Sequence, residues 1–382
     1  MDIEKLTSAY KTIKERSIIG RQTTPQQVFG LCEASWASME VLGKSVQKRP
    51  VYSLDAGNGP KKVLLWTQMH GNEPTATGAV FDLLNFLGNP PAEFMDFAER
   101  ILKKFHLKII PMLNPDGAVL YRRTNALDID LNRDALSLSA PESRLLFSVA
   151  ADFAPHYCFN LHDQRNIYNV SGTGKTATMS FLAPAEDVSR QVTPGRRQAM
   201  AIIHAMNRHV QQIIPGHVGR YSDEFYPTAT GDNFQKKGYV TMLIESGTYP
   251  GDPERQVARF CNFVGILCAL EFLMDSEYPD AGWEDYSAIP PNDMKMMDVI
   301  VRDVTVSLGD FRTKTDIGIM LVEKPSEDRS KMERKAYIEM IGDLRYYYGI
   351  EEINAAGKCL SGCVSRCPQV GDEIARPIIL SI

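Results

Sequence analysis

Apolar and polar positions alternate along the chain in blocks. From Lys61 the residues KKVLLWTQMH are nearly continuously apolar, the pattern of a parallel strand covered on both faces, and the run ends on His70. A helix is expected to start at Pro74, a residue favoured at the first helical position, with Val80, Leu83, Leu84 and Leu87 on one face. The same strand-then-turn pattern recurs in LKIIPML (107–113) before Asn114-Pro115-Asp116-Gly117, in YCFNLH (157–162), and in YVTMLIE (239–245) before Ser246-Gly247. Apolar positions at three- and four-residue spacing predict helices over RRQAMAIIHAMNRHVQQII and ERQVARFCNFVGILCALEFLM. Strands alternating with helices imply an α/β fold with a mixed, largely parallel central sheet flanked by helices.

The acidic, proline-bearing stretch DSEYPDAGWEDYSAIPP (275–291) has the composition of a linker. Beyond it, KMMDVIVRDVTVSL, TDIGIMLVE, KAYIEMIGDLRYYYGIE and ARPIILSI contain period-two alternation, which predicts a smaller C-terminal β-rich domain. The expected domains are therefore 1–280 and 293–382, a division that the length of 382 residues also favours.

Composition narrows the function. The formal net charge of −5 comes without any basic run, so nucleic acid is not an expected partner. The N-terminal residues lack the apolar core of a secretory signal, and no later segment reads as a membrane span, so the expectation is a cytoplasmic protein without a membrane partner. Seven scattered cysteines do not form a disulfide framework. Cys359, Cys363 and Cys367 recur every four residues, which is not the paired CxxC of structural zinc, and no histidine lies near them; reduced thiols are the simpler reading.

Candidate chemistry collects at strand ends. His70, Asn114, His162 and Glu245 each close a different predicted parallel strand, the edge at which open α/β sheets bind ligands. His70 and Glu73 are three apart in a tight turn and can converge on one ion, although HxxE alone is a weak motif and a single histidine is commonly structural. With His162 as a third ligand they would form the His₂Glu set of catalytic zinc. Arg123, Asn132 and Arg133 follow in RTNALDIDLNR; a guanidinium fork is the preferred clamp for a carboxylate, and a second arginine can stabilise an oxyanion.

Over about residues 40 to 275 the chain resembles the M14 family of zinc carboxypeptidases, on GKSVQKRPVYSL, HGNE, NPDG, RTNALDIDLNR, FNLH, FYPTATGDNF and LIESG, in that order. The resemblance implies that His70, Glu73 and His162 hold one catalytic zinc and that Arg123 polarises the scissile carbonyl. It makes Asn132 and Arg133 the anchor of the substrate's terminal carboxylate, Tyr226 the residue that closes over that end, and Glu245 the base that deprotonates water and then protonates the leaving amine. Tyr221 lies near Tyr226. Asp128 stands where the family frequently has glycine, and His162 is followed by Asp163-Gln164-Arg165 rather than small residues.

The expected function is hydrolysis of a peptide or peptide-like amide next to a free carboxylate. Two alternatives share the fold: an N-acyl amino acid amidohydrolase resembling aspartoacylases and succinylglutamate desuccinylases, and a non-catalytic carboxylate-binding module. Ser171–Thr176 resembles the tail of a phosphate-binding loop, but Asn169 replaces the required first glycine. His106, His156, His204, His209 and His217 read as structural or surface residues.

Overall fold

The structure is a computed structural model that describes residues 1–276, 279–327, 332–361, 367–375 and 378–381. Two compact units divide the chain: Met1–Gln164 with Thr178–Pro291, and Arg165–Ala177 with Asn292–Ile382. The segment 165–177 thus leaves the first unit, whereas a single cut near the acidic stretch would have kept it there. That stretch itself ends in a 3-10 turn, Trp283–Ala288, within the first unit.

The elements of the first unit are α1 (Ile3–Ile13), α2 (Pro25–Glu33), β1 (Ser38–Lys44), β2 (Pro50–Ala56), β3 (Lys61–Trp66), α3 (Thr75–Gly88), α4 (Met95–Lys104), β4 (Phe105–Ile110), α5 (Pro115–Leu120), α6 (Pro141–Phe153) and β5 (Tyr157–Asp163). After β6 (Asn169–Val170) of the other unit come β7 (Met179–Leu182), α7 (Pro194–Ile213), β8 (Val218–Arg220), α8 (Thr230–Lys236), β9 (Val240–Ser246) and α9 (Gln256–Asp275).

Eight strands form one sheet in the order β1-β2-β4-β3-β5-β9-β7-β8. Its centre, β4-β3-β5-β9, is parallel, while β1, β2 and the β9–β7 junction introduce antiparallel pairs. The continuous apolar runs are explained by burial on both faces. Along β3, Val63 and Leu65 enter the core that holds α3, α7 and α9, whereas Leu64 and Trp66 enter the core that holds α6 and Phe234 of α8. Chain order reverses at β3, whose neighbours β4 and β5 follow it on opposite sides, so a crevice opens at the carboxyl ends of β3 and β5.

Contrary to the sequence reading, one described helix, α9, has the length and apolarity of a membrane span. Its apolar window is 78% buried inside the unit, where it packs on α3 and α7.

The second unit contains β10 (Asn292–Asp293) paired with β6, and a five-stranded sheet ordered β14-β11-β12-β13-β16. Its strands are β11 (Met296–Leu308), β12 (Phe311–Pro325), β13 (Met332–Gly342), β14 (Tyr348–Asn354) and β16 (Glu373–Ile374); β15 (Cys359–Ser361) pairs with β17 (Ile379–Ser381). Period two is visible in its core, where Val299, Val301, Ile317, Ile319, Ala336 and Ile338 share one face. Residues 170–175 form a closed turn, with Val170 N donating to Lys175 O, and not the loop-to-helix passage of a phosphate site. Cys363 lies outside the described residues.

Candidate metal centre and active site

The strand β3 stops at Trp66, and eight residues, 67–74, re-aim the chain before α3. Gln68 there takes a left-handed backbone (φ +44°), held by its side chain, which donates to Gly71 O and accepts from Thr77. The turn after β4 packs directly on this one. A Cβ on Gly71 would lie 2.0 Å from the Gly117 backbone, so the contact requires glycine. Asn114 is the stitch between them: its Oδ1 accepts from Gly117 N and its Nδ2 donates to Met69 O. Its place at a strand end is therefore explained by capping α5.

This scaffold brings His70, Glu73 and His162 together, all three buried. Nδ1 of His70 lies 2.8 Å from Glu73 Oε1, Nδ1 of His162 lies 2.9 Å from Glu73 Oε2, and the two Nδ1 atoms are 3.2 Å apart. Burial lowers the pKa of His162, and it would raise that of Glu73, but the two imidazoles outweigh it and hold the Glu73 carboxyl well below the usual range. His70 is raised, because Glu73 and Asp130 together outweigh its desolvation.

The donor set fits a divalent cation. With protons alone, both Nδ1 atoms would donate to Glu73 while facing each other across 3.2 Å. A cation taking one lone pair from each Nδ1 and one from Glu73 removes that conflict. One ligand atom from each of the three side chains lies within 4.8 Å of the others, and the 3.2 Å between the two Nδ1 atoms is close to the separation of about 3.3 Å between ligands about 2.0 Å from zinc in tetrahedral array. The second nitrogen of His70, Nε2, lies 3.1 Å from Asp130 Oδ1, the carboxylate–histidine arrangement that turns Nδ1 toward a metal.

Arg123 flanks this group. Its Nη1 lies 3.5 Å from Glu73 Oε1, and its Nε donates to Asp130 Oδ2 at 2.8 Å. Glu245 is the partner of His162 in the β5/β9 register, and Ser180 of β7 is in turn the partner of Glu245. The Oε2 atom of Glu245 is buried with no hydrogen-bond partner among the described residues. Burial, followed by the charges of Glu73 and Asp163, pushes the Glu245 carboxyl well above its ordinary value against the pull of Arg123 and Arg255.

The segment after Arg123 is tied down by Asn125, which accepts from Leu127 N and Ile129 N and donates to the buried Glu142. Asp128, where glycine was the family expectation, has φ +60°; aspartate is among the few residues that tolerate this region. Asn132 N donates to Asp130 Oδ1, and Asn132 Oδ1 accepts from Thr230 N at the start of α8. The Arg133 guanidinium sits 4.1 Å from the centre of the Tyr226 ring, which is half exposed. Tyr221, the neighbouring candidate, uses its backbone N–H to bond Phe181 O.

The sequence model of the zinc carboxypeptidase family matches residues 33–171. The chain resembles the zinc carboxypeptidases. Carboxypeptidase 2 of Trichophyton rubrum is 32% identical over 105 residues, 27% of this chain and 19% of that protein. Cytosolic carboxypeptidase 6 of Caenorhabditis elegans is 33% identical over 102 residues, 25% and 21% of the two chains. The chain thus spans about a fifth of the length of these relatives. In fold, it is similar to a metallo-carboxypeptidase from Burkholderia cenocepacia, with a TM-score of 0.51 at 18% identity over 66% of this chain and 70% of that one. The carboxypeptidase match includes His70, Glu73, Arg123, Asn132, Arg133 and His162, and it ends before Tyr226 and Glu245.

Two parts of the site escaped sequence reasoning. Asp130 joins His70, Arg123 and Asn132, and its only local signal was an acid inside the arginine-bearing stretch. Behind the ligands, Asp163 N donates to Glu73 Oε2, and Asp163 Oδ2 accepts from Arg21 at 2.6 Å and from Thr75 at 2.7 Å. Arg21 is 142 positions away from Asp163, a pairing without any local signature.

Proposed function

We propose that the protein is a zinc metallocarboxypeptidase that hydrolyses a peptide or peptide-like amide next to a free carboxylate. The observation that carries the reading is the convergence of His70, Glu73 and His162 beside a buried Glu245 oxygen that has no hydrogen-bond partner among the described residues. In this reading His70, Glu73 and His162 hold the ion, which supplies Lewis-acid polarisation of a carbonyl and activation of water.

The chain's own groups do the rest. Glu245, whose carboxyl is pushed well above its ordinary pKa by burial, takes the proton of the attacking water and returns it to the leaving amine. Arg123, fixed by Asp130, offers its guanidinium to the oxygen on which negative charge develops. Arg133 and Asn132 receive the terminal carboxylate, and the Tyr226 ring against Arg133 covers that end. A cytoplasmic setting belongs to the same reading, supported by the buried, unpaired thiols of Cys32, Cys158, Cys261 and Cys268.

Glu245→Gln separates chemistry from metal binding. The variant should bind as much zinc as the native protein by metal analysis and lose a hundredfold or more in turnover of a C-terminally free peptide. Turnover near the native level would make Glu245 structural and remove the proposed base.

A further inference from the structure

The connector between α1 and α2 is pinned at several points along its length. Glu15 N donates to Asp82 of α3, and Arg259 of α9 donates to the carbonyls of Glu15 and Ile18. Gly20 then takes a left-handed backbone (φ +77°), where a Cβ would meet Glu254 Oε2 at 2.8 Å. Thr24 opens α2 with a capping box to Gln27, whose Nε2 donates to Ser17 O. Between these anchors stands Arg21, and its side chain is buried.

The Arg21 guanidinium ends between the two segments that carry Glu73 and His162. Its Nη1 donates to Asp163 Oδ2 at 2.6 Å and to Thr75 Oγ1 at 2.7 Å, and Thr75 Oγ1 donates to the same Asp163 oxygen at 2.7 Å, so the three groups close a triangle. Thr75 opens α3 two positions after Glu73, and Asp163 ends β5 next to His162. Asp163 N in turn donates to Glu73 Oε2 at 3.1 Å. The residue whose side chain the triangle fixes therefore also donates, from its backbone, to a proposed ligand. The Arg255 guanidinium, 3.6 Å from Asp163 Oδ2, donates to the carbonyls of Ser246 and Gln164. An ion pair buried as deeply as Arg21–Asp163 is often no more stabilising than apolar side chains of the same volume, so stability alone does not account for it.

Building on the carboxypeptidase reading, we infer that Arg21 is a positioning residue of the metal centre: with Thr75 and Asp163 it fixes the separation of the Glu73 and His162 segments and holds the Glu73 carboxylate in its ligating orientation. The backbone ladder does not do this, because β3 and β5 pair only as far as Trp66 and Asn160, before either ligand is reached. Beyond that point the triangle supplies the lateral link, and the Asp163 N–H sets which way the Glu73 oxygens turn. Arg21 lies upstream of the stretch that resembles the zinc carboxypeptidases, and Asp163 departs from the small residue expected after His162, so the pair is a feature of this chain and not of the family pattern.

The test measures three quantities on the full chain: zinc affinity by competition with a chromogenic chelator, the visible absorption of the cobalt(II)-substituted protein, and the denaturant stability of the metal-free protein. Arg21→Met leaves the Asp163 carboxylate buried without its partner, so it should lose stability and weaken zinc binding by about 10- to 100-fold. Adding Asp163→Ala removes the unpaired charge. Stability should then return toward the native value, while zinc affinity stays as low as in the single variant and the cobalt spectrum stays shifted, because the link between the two segments is still missing. The double variant also covers the case in which Arg21→Met does not fold. Thr75→Val, which keeps both charges and removes one corner of the triangle, should weaken zinc several-fold. Native zinc affinity with an unchanged cobalt spectrum in the double variant, or in Thr75→Val should the double variant not fold, overturns the inference and leaves the carboxypeptidase reading standing. Zinc affinity that follows stability across the variants overturns it as well, since the pair would then be structural. If the native protein binds no zinc, the carboxypeptidase reading fails and takes the inference with it.

Discussion

Asp130 decides which nitrogen of His70 is available to a cation. One carboxylate oxygen holds Nε2 and accepts from Asn132 N, and the other holds Arg123 Nε, so one side chain orients a proposed ligand, a proposed electrophile and the turn proposed to bind the carboxylate. Its own pKa is held below the usual carboxylate range: burial would raise it, but His70 and Arg123 together outweigh that effect. Asp130→Asn keeps the shape and removes the charge, and it should weaken zinc binding by about 10- to 100-fold, measured by competition with a chromogenic chelator. Native affinity in that variant would show that His70 is oriented by its turn alone. At this scale the sequence pointed to the residues proposed to touch substrate or metal and hid those that hold them. His70 and Glu73 are three apart and announce each other. Asp163 and Arg21 are joined only by the fold, and no spacing rule reaches across 142 positions.

Among the elements, the buried parallel strands were the most legible, since β3, β5 and β9 are covered on both faces and write their burial as largely apolar runs. Their ends were less so. The run from Lys61 to His70 looks like one strand, but it stops at Trp66 because Gln68 adopts a left-handed conformation that no hydrophobic pattern records. The short helix α8 carries another unadvertised feature. Asp232 in its first turn has its carboxyl pKa pushed up to about 6, by burial first, against the hydrogen bond from the Tyr226 backbone and the charges of Arg133 and Arg196. The folded state therefore prefers the neutral acid. Its contribution is complete below the ordinary value of 3.8 and is lost as pH rises through about 6. Asp232→Asn should match the native protein in denaturant stability at pH 4 and exceed it by about 1–3 kcal/mol at pH 7.5, the scale of a two-unit shift. Equal stability at both values would mean that Arg133 and Arg196 fully compensate the buried charge.

For the molecule as a whole, the α/β class and the β-rich C-terminal region followed from the order of periodic segments, and the structure has both. Two features ran against local pattern. Residues 165–177 follow directly on the strand that carries His162, yet they belong with the C-terminal strands, and α9 is apolar enough for a membrane while packed against α3 and α7. Both are decisions of tertiary packing, which outranks composition when an apolar surface has a partner to bury it. The central claim is metal-dependent removal of a single residue from a free carboxyl terminus. Its most direct test is one mass-spectrometric time course in which the zinc-loaded protein meets an equimolar mixture of a peptide acid and its C-terminal amide, with and without a chelator. The account predicts loss of one terminal residue from the acid, a rate for the amide lower by roughly 30-fold or more because the Arg133 fork is left partly unpaired, and no cleavage of either once the metal is withdrawn. Equal rates for acid and amide, or cleavage that persists in the chelator, would contradict it.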